Sequence, residues 1–435
     1  MAAEEKSTIG FAARLRNGLI VALLLVSPWV FASIHQPTQI ALKILGTLLA
    51  GTLIFRKPSR ASSRDLVLAA LTVAILLYGL VSIFNLSLPF LPSSIDPPQS
   101  AFTLWGCACL AATFWSVRDW VAEDVTARRT LLWIILLNAA LIALAAMAQR
   151  LLAPDKVLWL YRPAVTSDYY VFGPFEYRAT ASQFFNLLWP VAFGLYIQDK
   201  TSNAARRRFP FLLLVLLMAS PLLTSSRGGL VIFAFAGLIL LAGLLISGKL
   251  SRAIRVRLIL LCVGVAILFL AFGLRPFQRR LRENPTLAGF LSLEGRLGQN
   301  KNSWRMVADH PLWGVGPGAY ETAFRLYKFK NAFQPDRNDP REQPAWDFFY
   351  AKAHNDWLQT LVEWGAPGTL LLILAILLAW VELLTPHTSE PILCFGIATA
   401  VLAVLLHGAF DYPLQNTAIL IYLATLLGLG KFTAK

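Results

Sequence analysis

The residues best placed to do chemistry lie where a polar stretch of the chain meets an apolar one. The sequence AHNDWLQTLVEWGAPG runs from Ala353 to Gly368, and the apolar residues that follow are numerous enough to enter a bilayer. His354 opens this stretch, and Asn355 and Asp356 supply oxygens that can cap a helix start. A neutral imidazole can take the proton from a hydroxyl group whose oxygen attacks an electrophile. The pattern indicates a general base at a membrane surface, although a histidine at such a place also serves as a cap or a hydrogen-bonding group.

Two arginines lie at the edges of apolar runs, where their guanidinium groups stay at a membrane surface. Arg178 lies in EYRATASQF, before one run, and Arg227 lies in SSRGG, in a short turn between two others. A guanidinium group can bind phosphate through two parallel N–H donors. Gly228 and Gly229 open the following helix, whose backbone N–H groups favour an anion. The arrangement indicates phosphate binding, but interface arginines also extend to lipid headgroups without binding a substrate.

A third stretch, HPLWGVGPGAYE, contains three glycines with one residue between neighbours. Gly314, Gly316 and Gly318 predict a tight turn that another backbone or a ligand can approach closely. No strand pattern precedes the glycines, so they do not indicate a dinucleotide-binding fold.

These stretches resemble the O-antigen ligase and polymerase superfamily of polysaccharide-building membrane enzymes. The superfamily's hallmark is His-Asn followed, nine residues on, by Gly-x-x-Gly, which matches His354, Asn355, Gly365 and Gly368. Members also carry an aromatic, Asp-aromatic-Pro-Leu segment, which is similar to HGAFDYPLQ around Asp411. In that segment His407 could pair with Asp411 four residues later, and we interpret the segment as structural support.

The arginines fit the same resemblance. Arg178 follows a Gly-Pro-aromatic loop, Arg227 lies in a Ser-Arg-Gly-small turn, and Arg296 lies in a Gly-Arg pair ahead of the glycine element. Members usually carry Trp four residues after the last of these arginines, whereas this chain has Asn300. Arg305 is therefore an alternative to Arg296 for facing the site.

The resemblance covers residues 160–425 and implies both fold and chemistry. The implied fold is an all-α polytopic membrane protein similar to glycosyltransferase-C. The implied reaction moves a glycan from a polyprenyl diphosphate, such as undecaprenyl diphosphate, to an acceptor hydroxyl at the periplasmic face, with inversion and without a metal or cofactor. His354 would be the catalytic base, and Arg178, Arg227 and Arg296 would bind the diphosphate. Supporting roles would fall to Asn355, Arg305, Gly316, Gly318 and Asp411.

The acceptor distinguishes the members of this superfamily. We place an O-antigen ligase acting on lipid A-core first and an O-antigen or exopolysaccharide polymerase second. A protein O-oligosaccharyltransferase comes third, because such enzymes carry further C-terminal segments and this chain ends five residues after its last apolar run.

Composition independently predicts a membrane protein. Hydrophobic residues make up 57% and charged residues 14% of 435 residues, and the apolar residues occur in runs of membrane-spanning length. Twelve runs predict about twelve transmembrane helices. They lie near residues 17–35, 37–55, 66–87, 100–117, 130–151, 182–198, 209–225, 228–247, 258–274, 365–384, 391–410 and 415–430.

Lys and Arg concentrate at alternate ends of these runs, except in the loop TPHTSEP before the eleventh run, which carries neither. This pattern predicts that both termini are cytoplasmic and that the large loop is on the other side, which the resemblance implies is the bacterial periplasm. Arg118, Arg128 and Arg129 belong to one of the short loops assigned to the cytoplasm. The chain is expected to be a single membrane domain over 1–435, with a periplasmic loop at 275–356 between the ninth and tenth helices.

Other functional classes receive little support. The net charge of +15 follows from membrane topology and does not require nucleic acid. The four cysteines lie in apolar runs, and no Asp-x-Asp-like carboxylate cluster predicts a metal site, since Asp336, Asp339 and Glu342 lie in a Pro-rich turn. A transporter would need charged residues inside the spans, but Lys43 is the only basic residue well inside one.

Overall fold

The computed structural model describes residues 2–55, 62–85, 88–163, 171–198, 204–248, 251–283, 293–332, 352–385 and 390–430. Fifteen α-helices lie within these residues. The first eight are α1 (Ala2–Val26), α2 (Gln36–Thr52), α3 (Ser63–Phe84), α4 (Pro97–Glu123), α5 (Ala127–Leu152), α6 (Arg178–Gln198), α7 (Ala204–Leu223) and α8 (Arg227–Ile246). The others are α9 (Arg252–Leu268), α10 (Leu274–Glu283), α11 (Leu293–Asp309), α12 (Tyr320–Ala332), α13 (Asp356–Leu383), α14 (Pro391–His407) and α15 (Thr417–Gly428). A π-helical turn, Phe269–Gly273, joins α9 to α10.

Helices cover the twelve apolar runs, but they are not all equally suited to crossing a membrane. Seven helices of the described chain are long and apolar enough to span it. They are Gln36–Phe55, Ser63–Phe84, Pro97–Glu123, Ala127–Leu152, Arg227–Ile246, Arg252–Gly273 and Asp356–Leu383. The shorter apolar helices α14 and α15 pack among them. The polytopic all-helical class is confirmed, whereas twelve crossings stay a prediction.

Helix α6 lies at the centre of the bundle. Its residues from Ala179 to Ile197 are all buried. It crosses α14 at a point where both helices carry glycine. A Cβ on Gly396 would lie 2.6 Å from the Pro190 carbonyl oxygen, and a Cβ on Gly194 would lie 3.0 Å from the Ile392 carbonyl oxygen. Small residues allow such close backbone approach in membrane bundles. This close contact lies near the end of α6 and the start of α14.

Part of the predicted 275–356 loop is helical. Helices α11 and α12 form a second, smaller core with Met306, Tyr320, Phe324, Ala353 and Val362. Residues 333–351, which include Asp336, Asp339 and Glu342, lie outside the described residues. Because Val362 belongs to α13, this small core attaches α11 and α12 to the helix that follows His354.

The prediction that Arg118 lies in a short loop is wrong. Helix α4 continues to Glu123, and Arg118 is 1% exposed within it. Its guanidinium donates to Asp65 of α3 at 2.5 Å and to Glu382 of α13 at 2.6 Å. The sequence gives no sign of this cluster, because its members are 53 and 264 residues apart. The cluster connects α3, α4 and α13. It lies roughly 40 Å along α13 from the start of that helix, at the end remote from His354.

Candidate active site

His354 lies immediately before α13 and contacts a carboxylate. Its backbone φ of 50° is uncommon for a residue with a side chain and is typical of positions that surrounding contacts hold in place. Nδ1 lies 3.1 Å from Oδ1 of Asp411, and the two side chains are 22% and 3% exposed. With an ionised Asp411 carboxylate as the acceptor, a neutral His354 ring would carry its hydrogen on Nδ1 and its lone pair on Nε2. The pair has the geometry of a base and its orienting group.

The start of α13 is docked against the turn that carries Asp411. Asn355 is the N-cap, and its side-chain oxygen accepts the Leu358 N–H at 3.1 Å. Asp356 does not share this capping role, since its carboxylate accepts the Leu414 N–H at 2.7 Å. The Asp356 N–H in turn donates to the Gly408 carbonyl at 2.7 Å. These bonds fix His354 relative to Asp411 over a separation of 57 residues.

Two tyrosines connect His354 with the start of α6. The His354 ring meets Tyr412 edge to face, with ring centroids 4.8 Å apart. Tyr412 stacks on Tyr177 with centroids 5.9 Å apart and an interplanar angle of 10°. Arg178 follows directly and is the first residue of α6. The structure therefore brings the first predicted arginine to the same region as His354.

Arg227 opens α8 beside the start of α6. It is 8% exposed, and Ser226 before it caps the helix by accepting the Gly229 N–H at 3.3 Å. A Cβ on Gly229 would lie 1.8 Å from the Ser182 hydroxyl oxygen, one helical turn after Arg178. The glycine is needed for this approach, so α6 and α8 begin side by side. Each of the two starts carries one of the predicted arginines.

The end of α14 links the Arg227 helix to His354. His407, 1% exposed, lies against α8, because a Cβ on Gly228 would be 3.1 Å from its Nε2. The chain then turns and presents Asp411 to His354. We predicted Asp411 as a structural support that could pair with His407; the structure shows its carboxylate 3.1 Å from Nδ1 of His354.

The glycine element interlocks with α13. Gly314, Gly316 and Gly318 have φ values of 69°, 107° and 73°. A Cβ on Gly314 would lie 2.5 Å from the Glu363 carbonyl oxygen, and the Gly318 N–H donates to the Glu363 carboxylate at 2.9 Å. Gly365, at φ 60°, breaks the helical geometry of α13 where the Leu312 carbonyl approaches. The space left by the missing glycine side chains is occupied by backbone and side-chain atoms of neighbouring residues.

The two remaining arginine candidates lie on α11. Arg296 is in its first turn, and its side chain lies outside what the structure describes. Arg305 is exposed on the same helix, beside Met306, which is buried in the small core. The choice between the two arginines stays open.

A cavity of about 800 Å³ lies near His354 and borders the start of α6, since its lining includes Tyr177 and Thr180. We call it the inter-helix cavity. Its lining includes Tyr412, Tyr177, Trp357 and Lys352, which lie close to His354 in space or in sequence. Its deeper walls come from α2, α4, α13 and α15. This volume falls within the range of about 300–1,000 Å³ typical of small-molecule sites.

Sequence reasoning missed Tyr177, Tyr412 and Glu363. The tyrosines lie next to predicted residues and would have been found had each aromatic neighbour been considered as a contact. Glu363 lies two residues before Gly365, and nothing in its local sequence indicates that its partner is the Gly318 N–H.

No group of three or more His, Cys, Asp and Glu side chains in the described ranges is arranged to hold a metal ion. The side chains that connect to His354 are the Asp411 carboxylate and the rings of Tyr412 and Tyr177, and Arg178 directly follows Tyr177.

Replacing Asp411 with asparagine is expected to slow the reaction through His354. Asparagine can donate its amide N–H to Nδ1, which would place the hydrogen on Nε2 and remove the proton acceptor. We expect the maximal rate to fall by roughly 10²-fold, within the range of general-base effects, with little change in acceptor KM. The measurement is steady-state kinetics of Asp411→Asn, with the exposed Asp309→Asn as control. If Asp411→Asn raised only the acceptor KM and left the maximal rate unchanged, the orienting role would be contradicted.

Part of the chain matches a known protein family. Residues 212–373 match the family model described as O-antigen ligase. The matched segment includes Arg227, the glycine element and His354, and ends before Asp411. No curated protein matches the chain. This match supports the O-antigen ligase and polymerase superfamily for the chain, and that family implies a lipid-linked glycan donor and an acceptor in a membrane.

Proposed function

We propose that the chain is a membrane glycosyltransferase that moves a glycan from a polyprenyl diphosphate, such as undecaprenyl diphosphate, to an acceptor hydroxyl. The observation that carries this proposal is the His354–Asp411 pair, placed beside the starts of α6 and α8 with Arg178 and Arg227. A base and two guanidinium groups are what a hydroxyl nucleophile and a diphosphate leaving group need.

The reaction is a single displacement. Nε2 of His354 takes the proton of the acceptor hydroxyl while its oxygen attacks the anomeric carbon. The bond from that carbon to the diphosphate oxygen breaks, and its electron pair leaves with the diphosphate. Asp411 stabilises the imidazolium until its proton passes to water. One displacement inverts the configuration at the anomeric carbon.

The diphosphate would bind where α6 and α8 begin. Negative charge grows on the leaving oxygen as the bond breaks, and preformed cationic donors lower the energy of that state. Arg178 and Arg227 supply guanidinium groups, and the N-terminal end of α8 adds its dipole. Arg296, from α11, would complete the set. No step of this mechanism requires a metal or a cofactor.

The face carrying His354 would lie in the periplasm, with the chain in the bacterial inner membrane and both termini in the cytoplasm. Support comes from the Lys and Arg residues at the opposite ends of the helices. Ligase and polymerase share this chemistry and differ in the acceptor, which is lipid A-core for the first and a second lipid-linked glycan for the second.

The test is transfer by the purified chain in nanodiscs. The assay would contain an undecaprenyl diphosphate glycan, excess chelator, and either lipid A-core or a second copy of the donor as acceptor. A glycosylated acceptor formed together with released undecaprenyl diphosphate would support the proposal. Solute or lipid movement across the bilayer without any new glycosidic bond would contradict it.

Replacing Arg227 is expected to lower the catalytic efficiency measured with the glycan donor. We expect Arg227→Ala to lower kcat/KM by about 10²–10³-fold, because one preformed donor to a developing oxyanion contributes on that order. Arg227→Lys should recover only part of the loss, since an ammonium group cannot form the two parallel bonds. Kinetics with varied donor would measure both. Arg129→Ala, whose side chain is 59% exposed far from this site, is the control.

A further inference from the structure

Glu363 is a buried carboxylate that has no part in the proposed displacement. It lies about two helical turns into α13 and is 4% exposed. It borders the inter-helix cavity, but both of its oxygens accept hydrogen bonds from protein. Oε2 accepts the Gly318 N–H at 2.9 Å, and Oε1 accepts the side-chain amide of Gln359 at 2.9 Å. An ionised carboxylate only accepts hydrogen bonds, so both partners match its charge.

Gln359 continues the connection from Glu363 to the residue before His354. Its Nε2 donates to Glu363, and its Oε1 accepts the Ala353 N–H at 3.0 Å. Gln359 is 1% exposed, and Ala353 is fully buried. Three consecutive hydrogen bonds therefore join the Gly318 N–H to the Ala353 N–H through two side chains. We call Gln359 and Glu363 the side-chain bridge.

The end of the bridge at the glycine element is fixed by α4. The Ser100 hydroxyl donates to the Pro317 carbonyl oxygen at 2.7 Å. A Cβ on Gly318 would lie 2.0 Å from the Thr103 hydroxyl oxygen, so α4 packs directly against this glycine. The bridge therefore ties the backbone before His354 to a segment that is itself held by another helix.

His354 needs support on both sides because its backbone φ is 50°. A residue with a side chain keeps such a conformation where the surrounding contacts hold it in place. On the following side, the Asp356 N–H donates to the Gly408 carbonyl oxygen at 2.7 Å. On the preceding side, the bridge holds the Ala353 N–H.

The two ends of the bridge determine which side chains can form it. Both ends are backbone N–H donors. One amide and one carboxylate supply an acceptor for each backbone donor and a donor–acceptor pair between them. Two amides would place two donors face to face at one link, and two carboxylates would place two acceptors face to face in the middle. Exchanging the two residues would keep every link, because only the middle bond would reverse its direction.

We propose that Gln359 and Glu363 are positioning residues for His354, and that the glycine element acts through them to hold the catalytic base. This inference rests on the proposed glycosyl transfer and deepens it. The bridge keeps the His354 backbone where the ring meets the Asp411 carboxylate. Loss of the bridge should slow the chemical step and leave donor binding unchanged, because the arginines lie on other helices.

The kinetic test compares Glu363→Gln, Gln359→Glu and the double exchange in the full chain in nanodiscs. Each single substitution breaks one link. We expect kcat for glycan transfer to fall by about tenfold in each, the size of one buried hydrogen bond left unmade, with donor KM unchanged. The double exchange should recover most of the lost rate. Glu321→Gln, at a glutamate of α12 whose side chain is 43% exposed, is the matched control.

Amide hydrogen exchange of the same preparations examines the bridge without turnover. Gln359→Met removes the acceptor of the Ala353 N–H, which should then exchange about tenfold faster. In Glu363→Gln, faster exchange is expected at Ala353 or Gly318, because one of these two donors then faces an amide NH₂ group. The double exchange should return both amides to the protection of the parent chain. Should Glu363→Gln fail to fold, Gln359→Met decides the question by the same two measurements.

These measurements separate the inference from the proposed function. If the parent chain transfers no glycan, the proposed function fails, and the exchange of the Ala353 amide still shows whether the bridge holds the His354 segment. If transfer occurs and the folded single variants keep the parental kcat, only the inference is overturned. A rise in donor KM with kcat unchanged would overturn it too, as would a double exchange that restores amide protection without restoring kcat.

Discussion

Replacing His354 with alanine is expected to lower the rate of glycan transfer by about 10²–10⁴-fold, the range over which general-base catalysis contributes. A sugar hydroxyl is a poor nucleophile until its proton is taken, and Nε2 of His354 carries the ring's lone pair when Nδ1 donates to Asp411. Donor binding should persist, because the arginines lie on other helices. The measurement is the initial rate of transfer together with the donor dissociation constant of the same preparation.

His310→Ala is the control for this prediction. His310 is an exposed histidine at the end of α11, and its replacement should leave the rate within about twofold of the parent, as for an ordinary surface position. If folded His354→Ala retained full activity while Arg227→Ala lost it, the diphosphate site would stand and the base would have to be another residue.

Replacing Arg118 with methionine is expected to lower the free energy of unfolding by about 3–5 kcal/mol. The reason is that Asp65 and Glu382 would remain buried at 5% and 6% exposure without their shared cation. Because the three residues join α3, α4 and α13, the loss should loosen the bundle at the end away from His354. The measurement is denaturant unfolding in mixed micelles.

Arg129→Met provides the matched comparison. Arg129 pairs with Glu390, but its side chain is 59% exposed, and exposed pairs contribute about 0–1 kcal/mol. Equal effects of the two substitutions would show that the Arg118 cluster does not hold the helices together. Transfer assayed at low temperature, where folded Arg118→Met persists, should be close to that of the parent.

Much of the architecture can be predicted from local sequence. Apolar runs of about twenty residues require helices in a bilayer, because every backbone group must be satisfied internally. Helix starts are also local, as at Ser226 before α8 and Asn416 before α15, where a side-chain oxygen accepts an N–H three residues on. The positions of Arg178 and Arg227 at helix starts therefore follow from the residues on either side of them.

Long-range partners could not be predicted in this way. Asp411 contacts His354 across 57 residues, and in the sequence its natural partner is His407, four residues away. Local sequence likewise predicts that Arg118 lies in a cytoplasmic loop. In the structure it is inside the bundle, where it pairs with carboxylates from two distant helices. Whether Arg296 or Arg305 faces the site depends on how α11 is rotated, which no local pattern specifies.

The central claim is that a hydroxyl activated by His354 displaces the polyprenyl diphosphate in one step. The most direct test is the anomeric configuration of the transferred sugar, measured by NMR in the donor and in the purified product. The account predicts inversion in every turnover, together with one released diphosphate per bond formed. Retention of configuration would contradict the account, because it would require a covalent glycosyl intermediate for which the mechanism assigns no nucleophile.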